Sequence, residues 1–179
     1  MDRVVILRVG LAFLLLVFVA SLVPFSISAQ DGRDRRPLGE SGLPLPRFVS
    51  ISKSEANVRR GPGGDYPLLW QYQKRGLPLE IVAEYGQWRQ IRDHEGGEGW
   101  IHSRLLRGKR TIVVREAANA LQLRRAPRAG AGTVALVQSG TIGALQDCRA
   151  NWCEIELGGY TGWLPRDMLW GIYNFEQFD

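Results

Sequence analysis

The sequence predicts an all-β protein in which two small β-barrels follow one another, after a signal peptide and a disordered linker. The first observation is an internal repeat, since tryptophan and leucine recur about 64 residues apart in the same context. The matching pairs are Trp88 with Trp152, Trp100 with Trp163, and Leu106 with Leu169. The second observation is a series of short apolar runs separated by glycine-bearing turns, with no helical period. A repeat of this length indicates two copies of one small structural unit.

The first 29 residues form a predicted signal peptide. Arg3 and Arg8 precede an apolar run over residues 9–25, and the small residue Ala29 follows the run. A basic start, an apolar centre and a small residue at the end are typical of a segment that is cleaved on export. We therefore expect a mature chain that begins at Gln30 and has no stable membrane anchor. The alternative is an uncleaved anchor, because the apolar run reaches the lower length limit of a membrane-spanning helix.

Residues 30–46 are predicted to be a disordered linker, because charge, glycine and proline alternate there without a periodic apolar face. The whole chain is basic, with 23 Lys and Arg against 18 Asp and Glu. A basic exported protein can lie against anionic polymers, although a solvated arginine-rich surface explains the charge equally well. No nucleic-acid-binding motif is present, so we expect no nucleic-acid partner.

The first barrel is predicted over residues 47–110. It begins with a short strand at 48–51 and continues through a brief strand and a long Gly-Pro loop to residue 67. Further strands are expected at 68–72, at 79–84, at Trp88 and at Trp100, with a polar glycine-rich turn between the last two.

The second barrel is predicted over residues 111–175, with a closing strand at 169–175. Its long loop contains alanine and glycine where the first barrel has Tyr66-Pro67. Leu136 and Gln138 are expected near the places of Trp70 and Tyr72. Because only residues 107–110 separate the barrels, we expect them to pack closely.

The first repeat resembles a known family. The residues that carry the resemblance are Asn57-Val58-Arg59-x-Gly61-Pro62, Tyr66-Pro67, Gly76, Gly86-x-Trp88 and Gly99-Trp100-Ile101. They resemble the bacterial SH3-like domain, a five-stranded barrel of exported envelope proteins. The resemblance implies a binding module that recognises cell-wall peptide or an envelope protein. The predicted groove residues are Tyr66, Trp70, Tyr72, Trp88 and Trp100.

The alternation of side chains along a strand predicts on which face of the barrel the tryptophans lie. In the second repeat, Cys153 and Ile155 share one face of a strand, while Trp152 and Glu154 share the other. If the aliphatic face points into the barrel, Trp152 and Trp88 lie on the outer side. An exposed indole there suits stacking against a peptide or sugar. The alternative is a structural or assembly subunit whose aromatic faces are buried between domains or in a homodimer.

Cys148 and Cys153 flank a predicted hairpin turn and face each other across two strands. In an exported protein this arrangement favours a disulfide. A metal site would lack histidine ligands nearby, and the spacing differs from that of redox Cys-x-x-Cys pairs. The repeat offset places Glu84 and Arg89 at the equivalent positions, which suggests a cross-strand ion pair in the first barrel.

No catalytic constellation is predicted. The sequence contains no phosphate loop, no metal-binding cluster and no Ser-His-acid set, so we expect no enzyme activity, no metal and no cofactor. The expected location is the periplasm or cell envelope.

Overall fold

The computed structural model describes residues 36–176, and these residues form an all-β protein built from two units of identical strand order. The predicted fold class, two tandem small barrels, is confirmed. The predicted signal peptide and residues 30–35 lie outside the described residues. Within the described range, no helix is long and apolar enough to cross a membrane.

The first barrel contains seven short strands in the order β3-β2-β6-β5-β4-β1-β7, all paired antiparallel. A single 3-10 turn, Ser103–Leu105, precedes the last strand. The strands are β1 (Arg47–Ile51), β2 (Ala56–Arg59), β3 (Leu68–Tyr72), β4 (Pro78–Tyr85), β5 (Trp88–Arg92), β6 (Glu98–His102) and β7 (Leu106–Arg107).

The second barrel repeats this order as β10-β9-β13-β12-β11-β8-β14. Its 3-10 turn, Arg166–Met168, occupies the same place before the last strand. The strands are β8 (Thr111–Val114), β9 (Leu121–Arg124), β10 (Thr133–Val137), β11 (Ile142–Arg149), β12 (Trp152–Leu157), β13 (Tyr160–Pro165) and β14 (Leu169–Trp170). Both barrels also share two irregularities of pairing. One extra residue in β4 and β11 lies opposite the hairpin partner, and one in β3 and β10 lies opposite β2 and β9.

Each barrel has its own apolar core, which is formed by alternate residues of the strands. On β5 and β6, Ile91 and Ile101 point inward and are fully buried, and Ile155 and Leu164 do the same on β12 and β13. A side chain of this size contributes about 1.5–3 kcal/mol when it is fully buried. The same alternation directs the intervening residues of β5 and β6 to the outer face.

The barrels pack against each other through aromatic side chains. The Phe48 ring on the outer side of β1 lies 4.9 Å from the Trp170 ring and 4.6 Å from the Tyr173 ring. The Tyr173 hydroxyl donates a hydrogen bond of 2.8 Å to Glu80 Oε1 on β4. The expected close packing of the two barrels is therefore present.

The predicted closing strand over residues 169–175 is too long. Only Leu169 and Trp170 pair with β8, and the chain turns at Gly171, whose φ is 112°. A Cβ atom at this position would lie 2.5 Å from the Thr111 carbonyl oxygen, so only glycine fits the turn. The following residues are held instead by Arg166, whose guanidinium donates hydrogen bonds to the carbonyl oxygens of Tyr173, Asn174 and Glu176.

Residues 36–46, within the segment predicted as a disordered linker, form a strap against the first barrel. A bridge joins Leu38 to Pro44, and Leu45 packs on the core of the barrel. The backbone N–H and hydroxyl of Ser41 donate hydrogen bonds of 2.7 and 2.8 Å to the Glu84 carboxylate. Composition did not indicate this docking, because the partner of the strap is a single buried carboxylate on a distant strand.

Candidate functional site

Trp88 lies at the start of β5 on the outer face of the first barrel. It is paired with His102 of β6 and is half-buried. Beside it lies an open groove of about 230 Å³. We call it the Trp88 groove, and it is lined by Asn57, Arg59, Gly64, Trp88, His102, Arg104 and Leu105.

His102 forms one wall of the Trp88 groove. Its ring centroid lies 5.3 Å from that of Trp88 in an edge-on arrangement. Its Nδ1 accepts a hydrogen bond of 3.3 Å from the backbone N–H of Arg104, so the proton of the neutral ring is assigned to Nε2. Burial lowers the pKa of His102 below its ordinary value, and the nearby charges of Arg104 and Arg89 lower it further. The groove is therefore a cationic environment.

Arg59 closes the other side of the groove and also fixes the long loop between β2 and β3. Its guanidinium donates a hydrogen bond of 2.7 Å to the carbonyl oxygen of Tyr66. The second barrel repeats this contact, because Arg124 donates to the carbonyl oxygen of Ala131 at 2.9 Å. The backbone of the loop is thus maintained in both barrels although their loop sequences differ.

Tyr66 is 47% exposed, and its ring lies directly over Gly61. A Cβ atom at Gly61 would overlap that ring. In the second barrel Ala126 stands in place of Gly61, and the small, buried Ala131 stands in place of Tyr66. At this point of the loop, the first barrel thus pairs a glycine with a large aromatic side chain, and the second barrel pairs two alanines.

Trp70 and Tyr72, also predicted as groove residues, lie on the inner face of β3. They pair with the buried Val58 and Ala56 and pack against the core. The Tyr72 hydroxyl donates a hydrogen bond of 2.7 Å to Asp93 Oδ2, and burial followed by this bond raises the pKa of Tyr72. The structure does not bring these two rings into the Trp88 groove.

The second barrel lacks this aromatic filling. Strand pairing places Ala135 and Val137, and not the predicted Leu136 and Gln138, at the positions of Trp70 and Tyr72. Leu157 replaces Asp93, so an apolar contact stands where the first barrel has a hydrogen bond. The smaller side chains leave an apolar pocket of about 430 Å³ at this place.

Trp100, the last predicted groove residue, lies on the outer face of β6 between Gln90 of β5 and Arg59 of β2. It neighbours the Trp88 groove but does not line it. Its equivalent in the second barrel, Trp163, is buried, and the Arg149 guanidinium lies 5.4 Å from its ring centroid.

Trp152 occupies the position of Trp88 in the second barrel and borders a cavity of about 600 Å³. Pro165 replaces His102, and Asp167 replaces Arg104. Asn151, Arg166 and Asn174 also line this cavity. Sequence reasoning assigned no ligand to the second barrel, and the differences at these positions give its cavity a different charge.

Glu84 and Arg89 face each other on β4 and β5, at the positions that Cys148 and Cys153 occupy on β11 and β12. The cysteines form a disulfide, as predicted. Arg89 Nε lies 3.1 Å from Glu84 Oε1, so the suggested ion pair is present as well. The two strands of this hairpin are therefore joined by an ion pair in the first barrel and by a disulfide in the second.

Among residues 36–176, no group of three or more His, Cys, Asp or Glu side chains is arranged to hold a metal ion.

Comparisons with known proteins agree with the duplicated architecture. The family described as "Bacterial SH3 domain" matches residues 52–108 and again residues 117–171. A Bacillus subtilis (strain 168) protein that carries the name of an N-acetylmuramoyl-L-alanine amidase, YrvJ, is 26% identical over 128 residues. That match covers 66% of this chain but only 24% of the relative.

Two solved structures from Trichomonas vaginalis, NlpC2 and NlpC1, share 13% identity with the chain, each with a TM-score of 0.33. The matches cover 75% and 79% of this chain and 50% and 51% of those proteins.

Proposed function

The chain belongs to the bacterial SH3 domain family, and on that premise we propose that it is a non-catalytic binding module of the cell envelope. Its ligand in this proposal is cell-wall peptide or an envelope protein that presents a similar extended segment. The chain is exported, and its N-terminal signal segment is removed.

The observation that carries the proposal is the open Trp88 groove. It combines an aromatic face with polar side chains on rigid strands, which is the usual composition of a small recognition site. Indole rings supply a large contact area at low entropic cost, and aromatic anchors dominate the energy of small interfaces. The groove is shallow, so we expect weak binding.

The named function of the curated relative supports the envelope setting. YrvJ carries the name of an N-acetylmuramoyl-L-alanine amidase, and the shared region spans two thirds of this chain. The chain spans about a quarter of the relative's length, so the amidase activity is not carried over.

The alternative of a structural subunit receives support from a different set of aromatic residues. Phe48, Trp170 and Tyr173 are in contact between the two barrels. Trp88 and Tyr66 take no part in that contact, and Tyr66 is 47% exposed. We therefore regard the inter-barrel contact as the support for a rigid tandem, and the Trp88 groove as its binding surface.

The proposal is tested by sedimentation of the purified protein with isolated peptidoglycan. We expect Trp88→Ala to reduce the bound fraction several-fold, while Trp152→Ala, the matched change in the second barrel, retains most of it. Circular dichroism establishes that both variants are folded. Loss of binding in Trp152→Ala together with normal binding in a folded Trp88→Ala protein would show that the proposal places the site in the wrong barrel.

A further inference from the structure

We propose that the Trp88 groove selects ligands that present a free carboxylate beside a small neutral peptide segment. This inference deepens the proposed function and rests on it for the identity of the groove as the binding surface. It concerns the chemistry of the recognised group, which the family membership leaves open.

The walls of the Trp88 groove are positively charged. Arg59, His102 and Arg104 all line it, and no carboxylate is among its lining residues. Arg104 is exposed, and no ion pair of its guanidinium occurs within residues 36–176. Arg59 commits one amino group to the Tyr66 carbonyl oxygen.

The second step is the arrangement of donors around the indole. Asn57 supplies an amide, and the Nε2–H of His102 is left for a ligand because Nδ1 already accepts the backbone N–H of Arg104. Guanidinium groups bind carboxylates through charge-assisted hydrogen bonds, which are the stronger kind. The Trp88 ring then offers an apolar surface for the part of the ligand next to the carboxylate.

The third step is the size of the groove. A volume of about 230 Å³ is enough for about one residue of a peptide ligand. The groove is open, so the rest of a chain can continue into solvent. A peptide end fits these limits.

The equivalent place in the second barrel differs from the Trp88 groove in charge. The second barrel retains the tryptophan but has Pro165 and Asp167 at the positions of His102 and Arg104. The cavity beside Trp152 is lined by one arginine and one aspartate, Arg166 and Asp167, whereas the Trp88 groove is lined by two arginines and no carboxylate. The second barrel therefore serves as a control of lower net positive charge.

Protonation of His102 follows from the same arrangement. The cationic groups that face it are Arg89 from β5 and Arg104 from the 3-10 turn, and both lower its pKa. A bound carboxylate favours the imidazolium form, so it raises this pKa. Affinity for the carboxylate is therefore expected to increase as the pH falls below the ordinary pKa of histidine, 6.5.

The experiment uses two probes of the same shape, N-acetylalanine and N-acetylalaninamide, which differ only in the carboxylate. Binding to the purified full chain is followed by NMR, through the indole N–H signals of the tryptophans and the ring signals of His102. We expect the acid to bind about tenfold more tightly than the amide at low salt, and the difference to shrink as salt is added. The acid, and not the amide, should raise the pKa of His102.

Arg104→Gln should reduce the preference for the acid to about threefold or less. Arg128→Gln, which removes an exposed arginine from the second barrel, alters the net charge equally and should leave the preference unchanged. Arg104→Asp, which leaves the groove with one arginine and one aspartate as in the cavity of the second barrel, should abolish the preference.

Equal binding of acid and amide, no binding of either probe, or an acid preference that persists in Arg104→Gln would each overturn the inference. The two proposals fail separately in these measurements. If the protein sediments with peptidoglycan through Trp88 but does not distinguish the probes, the proposed function stands and the carboxylate preference falls. If the probes are distinguished but peptidoglycan is not bound, the groove chemistry stands and the proposed ligand falls.

Discussion

Replacing Glu84 with glutamine should destabilise the first barrel more than any other single change of charge in it. The Glu84 side chain is only 1% exposed, accepts hydrogen bonds from Ser41 and Arg47, and forms an ion pair with Arg89. Ser41 of the strap donates at 2.7 and 2.8 Å, Arg47 of β1 at 2.5 Å, and Arg89 of β5 lies at 3.1 Å. One carboxylate therefore joins the strap to two strands.

The magnitude follows from the pKa of this carboxyl group. Burial opposes ionisation, but hydrogen bonds from the Ser41 backbone and the Arg47 guanidinium prevail and lower the pKa of Glu84 from 4.5 to about 2. At about 1.36 kcal/mol for each pKa unit, the preference for the charged form is at most about 3.4 kcal/mol. Glutamine retains one acceptor oxygen, and solvent relaxes around the arginines. We therefore expect a loss of about 2 kcal/mol in the free energy of unfolding.

The sign of the pH dependence is fixed by the lowered pKa. A carboxylate with a depressed pKa contributes its full stability above about pH 5 and loses it as the pH falls towards 2. Urea denaturation should therefore show a large difference between the wild type and Glu84→Gln at pH 7, and a small one near pH 2.5.

Glu98→Gln is the matched control. Glu98 pairs with Arg92 at 2.8 Å, but both side chains are more than 40% exposed. Surface pairs of this kind contribute about 0–1 kcal/mol. If Glu84→Gln has the same urea midpoint as Glu98→Gln at pH 7, the buried carboxylate does not organise the strap and the reasoning is wrong.

Three further outcomes are expected. Mass spectrometry of the exported protein should find Gln30 as the first residue, and an intact N-terminus in the membrane fraction would contradict cleavage. Cys148→Ser should lower the free energy of unfolding by about 2 kcal/mol, since the bond closes a short loop, and no change in thermal midpoint would contradict this. Gly61→Ala should cost about 1 kcal/mol because its methyl group meets the Tyr66 ring, and the same change should cost less in a Tyr66→Ala background. Equal costs in both backgrounds, measured by urea denaturation, would refute the contact.

The duplicated fold could be predicted because its signals repeat in the sequence. Glycine and tryptophan recur at one offset, and alternation within β12 separates Cys153 and Ile155 from Trp152. The same offset places Glu84 and Arg89 at the positions of the two cysteines, and this predicted the ion pair in the first barrel. These features depend on local spacing, and the strand pairing reproduces them.

Other features depend on contacts between distant residues and could not be predicted in this way. An aromatic residue on a short strand can face either side, and only the pairing of Trp70 with Val58 shows that its ring points inward. The sequence alignment of the two repeats was shifted by one residue at β10. It therefore placed Leu136, and not Ala135, at the position of Trp70, because no turn fixed the register. The strap was missed since its partner, Glu84, is 43 residues beyond Ser41.

The pattern of agreement between the barrels separates scaffold from function. The arginine contact to the long loop, the hairpin cross-link and the outer tryptophan all recur, although the residues around them differ. The contacts that hold the backbone thus lie at equivalent positions in both copies, although an ion pair in one corresponds to a disulfide in the other. The outer wall beside the tryptophan is not equivalent, since Arg104 in one barrel corresponds to Asp167 in the other. A charge reversal on an exposed turn costs the fold little, so this position can change with the ligand. The two grooves of one rigid tandem are therefore suited to different groups, and the basic groove at Trp88 is the one suited to a carboxylate.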